Sequence, residues 1–129
     1  MKKSINVKKA APPIGPFSHA VIANGFVFVS GQGPMNPETE KVPKDFKEQV
    51  AQTLKNLEII LQGVGANLTD VVKVQVYLAN LSSFPIFNEV YQEFFPSNQP
   101  ARTTVGAELL MNISVEIDCI ALLSGSQMN

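Results

Sequence analysis

The chain has 129 residues, of which 45% are hydrophobic and 16% charged, and its formal net charge is −1. A chain of this length is read as a single domain over residues 1–129 that buries about two-thirds of its unfolded surface, which excludes both a disordered chain and a disulfide-stapled miniprotein. The near-neutral charge weighs against a nucleic-acid partner, because phosphate binding is driven by a concentrated positive field.

Lys2, Lys3, Lys8 and Lys9 give the N-terminus a short basic stretch that reads as a solvated tail. No apolar run of signal-peptide or membrane-span length follows it, so the expected setting is cytoplasmic, with no membrane partner. Phe17 to Ala23 and Phe26 to Ser30 read as two strands joined at Asn24-Gly25, a strong two-residue hairpin signal. Gly31-Gln-Gly-Pro34 then reads as a turn whose backbone N–H groups can approach a ligand. It lacks the third glycine and following helix of a dinucleotide fingerprint.

From a cap at Asp45, apolar residues at Phe46, Val50, Leu54, Leu57, Ile60, Leu61 and Val64 step by three and four, which predicts an amphipathic helix ending at Gly63 and Gly65. Val71 to Leu78 is β-branched and alternating, hence a strand. Ser82, Ser83 and Pro85 start a second helix carrying Phe87, Val90, Tyr91, Phe94 and Phe95, closed by Pro96. Two strands follow, near Ala101 to Ala107 and Ser114 to Leu123. The order implies an α+β fold, a mixed β-sheet with two helices packed on one face. The last strand puts Val115, Ile117, Cys119 and Ala121 on one side. Ile120 and Leu122 share the other with Glu116 and Asp118, so a second buried sheet face, against other subunits, is expected.

Five residues stand out chemically. Arg102 is the single arginine beside nine lysines and lies in an otherwise uncharged segment. Its planar fork suits a carboxylate or phosphate, although an ordinary surface ion pair is the alternative. Glu116 sits among apolar neighbours, where a carboxylate must be paired, hydrogen-bonded or at a solvated edge, and Asp118 projects from the same face about 6.8 Å along the strand. If Arg102 and Glu116 meet, on adjacent strands or across a subunit boundary, an anion anchor stands beside a general base. His19, the single histidine, excludes a multi-histidine metal site and a serine triad built on any other imidazole; it reads as structural or exposed. Cys119 reads as a buried inert thiol in a reducing compartment.

Taken together, Ala-Pro-Pro-Ile-Gly-Pro-Phe-Ser (11–18), Val-Ser-Gly-Gln-Gly-Pro (29–34), Phe-Asn-Glu-Val-Tyr-Gln-Glu-Phe-Phe (87–95), Pro-Ala-Arg (100–102) and Val-Glu-Ile (115–117) resemble the Rid family, the YjgF-like reactive-intermediate imine deaminases. The resemblance runs in family order over nearly the whole chain. It implies a chorismate-mutase-like fold, a homotrimer with sites between subunits, and no metal or cofactor. The implied reaction is hydrolysis of 2-enamines and 2-imines, such as 2-aminoacrylate and 2-iminobutyrate, to 2-oxo acids and ammonia, downstream of pyridoxal-phosphate-dependent dehydratases. In that reading Arg102 holds the substrate carboxylate and Glu116 positions and activates water. Gly31 offers its N–H, Ser30, Phe17 and Asn88 line the pocket, and the Thr104 backbone contacts the substrate nitrogen or water. Position 17 is Phe where many active members have Tyr, and position 104 is Thr where many have Cys. Two other functions stay open, a non-catalytic 2-oxo-acid-binding regulator and, less favoured by charge, an endoribonuclease or translation inhibitor.

Overall fold

The computed structural model describes residues 1–123. Its elements are β1 (Lys3–Ile5), β2 (Ala20–Ala23), β3 (Phe26–Gln32), α1 (Phe46–Gly63), β4 (Val71–Leu78), α2 (Phe84–Phe94), β5 (Ala101–Gly106) and β6 (Val115–Leu122). The six strands form one mixed sheet in the order β1-β2-β3-β6-β4-β5, in which only β4 and β5 run parallel.

Local chemistry accounts for most boundaries. Asn24 and Gly25 both take positive φ, 51° and 81°, the pair of conformations a two-residue hairpin turn between β2 and β3 needs. Asp45 caps α1 by accepting from the Glu48 N–H at 3.1 Å. The same helix ends with Gly65 at φ 87°, Ala66 N–H bonded to the Leu61 carbonyl and Gly65 N–H to Gln62, which is the Schellman arrangement. Proline in the first turn starts α2.

The helices cover one sheet face, as the periodicity predicts. Val50, Leu54, Leu57, Ile60 and Leu61 of α1, with Phe87 of α2, pack on Val27, Val74, Val76, Val115 and Ile117, all essentially inaccessible. Among the described residues no element covers the opposite face, and Phe28 and Leu122 are each 42% exposed there.

Three expectations need correction. The basic N-terminus is not wholly a solvated tail, because Lys3–Ile5 pairs with β2 as an edge strand. A strand of three residues is too short for alternation to register. Strand β2 begins at Ala20 rather than Phe17. Gly31 is not a turn residue but lies within β3, where the register with β6 shifts between Val29 and Gln32. A bulge absorbs the extra residues, and bulges re-aim side chains at such points.

Candidate functional site

Glu116 projects from β6 toward a cavity of about 430 Å³ whose walls include Phe17, Ser30 and Gly31. Its carboxylate lies directly against the Gly31 backbone, where a Cβ on Gly31 would collide with Oε2 and stand 3.1 Å from Cδ. Glycine at 31 is therefore the condition for this close approach. We expect Gly31→Ala to displace the carboxylate and lower turnover at least tenfold while circular dichroism and thermal unfolding stay near wild type. Unchanged turnover would show that the contact is dispensable.

Burial raises the Glu116 pKa above the ordinary carboxylate value, and the neighbouring Asp118 charge raises it further. Burial also raises Asp118, opposed by its hydrogen bond from Tyr77. The Tyr77 hydroxyl stands 3.2 Å from Asp118 Oδ2 and 2.9 Å from Gln75 Oε1, and its single proton is shared between them. The carboxylate pair read from the strand periodicity is present, with Asp118 hydrogen-bonded and Glu116 turned to the cavity.

Arg102 occupies a different place. On β5 it registers with the buried Val74, so it faces the helices, whereas Glu116 registers with Tyr77 on the open face. Strand β4 also separates β5 from β6. Arg102 and Glu116 are thus not on adjacent strands and do not meet within one chain. A single sequence could not reveal this, because the pairing order that inserts β6 between β3 and β4 is a long-range choice.

The guanidinium is held by Asn88, whose Oδ1 accepts from Nη2 at 2.8 Å, and by the rings of Phe84, Phe87 and Tyr91 with centroids at 5.5, 5.4 and 4.7 Å. Such a cage fixes the orientation of the cation without neutralising it. Among the described residues the ion pair is Lys47–Glu89, so the surface-pair alternative for Arg102 fails and most of its five donors stay open. The Tyr91 hydroxyl and Thr104 Oγ1 are buried with no hydrogen-bond partner among the described residues. Burial pushes the Tyr91 phenol up to about 12 against the lowering effect of Arg102. Two unsatisfied hydroxyls beside an unneutralised cation leave this end of the sheet chemically incomplete.

The structural roles expected of His19 and Cys119 are present. Nδ1 of His19 accepts from the Val7 N–H at 2.9 Å and Nε2 pairs with the Ala11 carbonyl at 2.7 Å, which ties the N-terminal segment to β2. Cys119 is buried, its thiol pushed up to about 12 by burial. Among the described residues no group of three His, Cys, Asp or Glu side chains clusters for a metal, and no helix is long and apolar enough to cross a membrane.

The sequence reading missed the bracing behind the cavity. Asn56 on α1 donates to the Gly33 and Met35 carbonyls at 2.9 and 2.8 Å, and Gln49 accepts from the Ser114 N–H at 3.0 Å. Both are buried beside the apolar stripe of the helix. Polar residues seven apart on a buried helix face were the available signal.

The fold is a six-stranded α+β sheet with two helices on one face and a carboxylate-bearing cavity at the bulge. A family model described as "Endoribonuclease L-PSP" matches residues 8–123. The chain is 45% identical over 123 residues to a RutC family protein of Aquifex aeolicus, covering 93% of this chain and 98% of that one. It is 41% identical over 124 residues to the 2-iminobutanoate/2-iminopropanoate deaminase of Dermatophagoides farinae, covering 95% and 97%. The crystal structure of Escherichia coli TdcF with bound serine superposes with a TM-score of 0.90 at 33% identity, covering 95% of this chain and 99% of that one. The chain belongs to the endoribonuclease L-PSP family, and the Rid resemblance read from its motifs is borne out by relatives named as deaminases.

Proposed function

We propose that the chain hydrolyses imines and enamines of 2-amino acids, such as 2-aminoacrylate and 2-iminobutyrate, to 2-oxo acids and ammonia. The observation that carries the reading is the Glu116 carboxylate, raised in proton affinity and held against Gly31 at the wall of a cavity. Raised proton affinity favours a carboxylate as a proton acceptor from water. The deaminase name of the Dermatophagoides relative supports the same chemistry.

In the proposed step, water loses a proton to Glu116 as its oxygen bonds to the imine carbon. Glu116 returns its proton to the nitrogen, then carries the hydroxyl proton of the tetrahedral carbinolamine to the same nitrogen, the C–N bond breaking as the C=O forms, and ammonia leaves. Atoms and electrons balance with water alone, so no cofactor is needed. Pyridoxal-phosphate-dependent dehydratases are the natural suppliers of such substrates. The substrate carboxylate is held by Arg102, with Asn88 bracing the guanidinium and Thr104 beside it on β5, while Ser30 and Phe17 line the Glu116 side of the site.

Arg102 and Glu116 face opposite sides of one sheet, so this reading brings Arg102 of one copy to Glu116 of the next, in the homotrimer that the Rid resemblance implies. The uncovered apolar face around Phe28 and Leu122 supports such packing. The direct test couples the purified protein to a threonine dehydratase and follows 2-oxobutanoate; no acceleration over buffer overturns the function. The composite site has its own test. Arg102→Ala and Glu116→Ala chains, each inactive alone, should on co-expression recover about one quarter of wild-type activity, because random rings place both intact residues in that share of sites. No recovery would overturn the shared site and leave Arg102 outside the reaction at Glu116.

The family description also names RNA cleavage. The one imidazole is buried with both nitrogens engaged and is not offered to a ribose. A regulator that binds 2-oxo acids without turnover would appear in calorimetry as binding without acceleration in the coupled assay.

A further inference from the structure

The Glu116 cavity is much larger than the reacting atoms of a three- or four-carbon imine require, and most of its remaining wall is hydrocarbon. At about 430 Å³ it falls within the roughly 300–1,000 Å³ range of pockets that enclose whole small ligands. Ile14, Val42, Leu110, Met111 and Ile113 line it beside Phe17. Most of these are exposed in the single chain, Ile14 by 68%, Met111 by 62% and Leu110 by 82%. The polar groups that also line it are already engaged. His19 uses both ring nitrogens, the Asn56 amide holds two carbonyls, Gln32 donates to the Ser30 and Gly31 carbonyls, and the Ser30 hydroxyl donates to the Ser18 carbonyl at 2.6 Å. Glu116 is the one ionisable side chain in the lining besides His19. A substrate side chain entering here therefore meets mainly apolar contacts and side-chain donors that are already engaged, so a charge or an amide is less favourably buried than a hydrocarbon.

The lip of the cavity is also built rather than incidental. Met111 and Asn112 hold consecutive left-handed conformations, φ 62° and 56°, just before β6. Non-glycine residues adopt these at a cost that surrounding structure must offset, and the result here turns Leu110 and Met111 toward the opening.

We propose that this cavity selects 2-imino acids with apolar side chains of three to four carbons or more over the small dehydratase products, with Ile14, Leu110 and Met111 as the specificity-determining wall. The proposal rests on the imine-hydrolysis reading and names its substrate class. A substrate seated with its imine carbon at Glu116 directs its side chain along the apolar wall, and each added methylene strengthens binding there about three- to tenfold. The missing hydroxyl at position 17 fits the same preference, since Phe17 presents only ring carbon to the cavity.

The test generates imines from L-2-aminobutanoate and from L-leucine with one L-amino acid oxidase plus catalase, and measures the loss of semicarbazide trapping caused by the protein. The expected ratio of kcat/KM, leucine imine over 2-iminobutanoate, is at least about ten. Ile14→Asp and, as a second variant at another point of the wall, Leu110→Asp should each reduce that ratio toward one, with folding checked by circular dichroism. If neither imine is accelerated, imine hydrolysis itself is wrong and the substrate class falls with it. If 2-iminobutanoate is accelerated and the ratio is one or less, the function stands and the apolar preference is overturned. A high ratio that both folded variants retain would place the selectivity elsewhere than this wall.

Discussion

Arg102→Ala should lower kcat/KM for 2-iminobutanoate by roughly 30- to 4,000-fold, the equivalent of about 2–5 kcal/mol for removing one partner of a desolvated charged hydrogen-bond pair. The size follows from the cage. Three aromatic rings and Asn88 already hold the guanidinium in place, so no ordering cost remains to be met when a carboxylate arrives. Arg102→Lys should recover little, because an ammonium keeps the charge but loses the planar fork and the stacking geometry of the rings. Unfolding transitions measured beside the kinetics separate anchoring from stability. Loss of both activity and fold would mean that Arg102 acts as part of the core, and turnover within threefold of wild type would remove it from the site.

Glu116→Gln should cost about 10² to 10⁴ in kcat with a much smaller change in the affinity for 2-oxobutanoate, the product that carries the same carboxylate. Glutamine keeps the shape against Gly31 and loses the proton acceptor. Calorimetry with 2-oxobutanoate would show retained binding, while the coupled assay shows lost turnover. If binding disappears with turnover, Glu116 holds the ligand rather than acting on water.

The same substitution has an opposite effect on stability, and its sign can be worked out. Burial and the Asp118 charge raise the folded-state pKa of Glu116 above its unfolded value. Between the two values the folded state binds more protons, so the contribution of Glu116 to stability declines as pH rises through this window and is unfavourable above it. Glu116→Gln should therefore raise Tm at pH 7. The gain should disappear below about pH 4, where the unfolded carboxylate is protonated too. An equal gain at both pH values would assign the effect to packing. Stability surrendered for a poised carboxylate is a common mark of a reactive site.

A carboxylate and a guanidinium serving one reaction from opposite faces of a sheet is a constraint on assembly as much as on chemistry. Within one chain the Arg102 cleft has open donors and two unsatisfied hydroxyls, and the Glu116 cavity has an exposed apolar lip. Each half is therefore incomplete among the described residues.

The amino-acid sequence by itself determined the elements and the chemistry each could carry. The three- and four-residue steps from Phe46 to Val64, the Asn24-Gly25 turn and the alternation in Val71–Leu78 are local patterns, and they yield the helices, the hairpin and the strand expected of them. The singular Arg102 and the carboxylate inside the last strand were visible for the same reason, since residue type and immediate neighbours are enough to mark them. The tertiary structure decided what these residues face. Strand order and register join segments far apart in the chain, and with a side-chain period of two they set which face each residue takes. That is why Glu116 lies against Gly31 at a bulge, why Arg102 turns to the aromatic rings of α2, and why Asn56 and Gln49 brace the cavity from within the helix layer. These contacts depend on long-range pairing, whose pattern no local window of sequence contains.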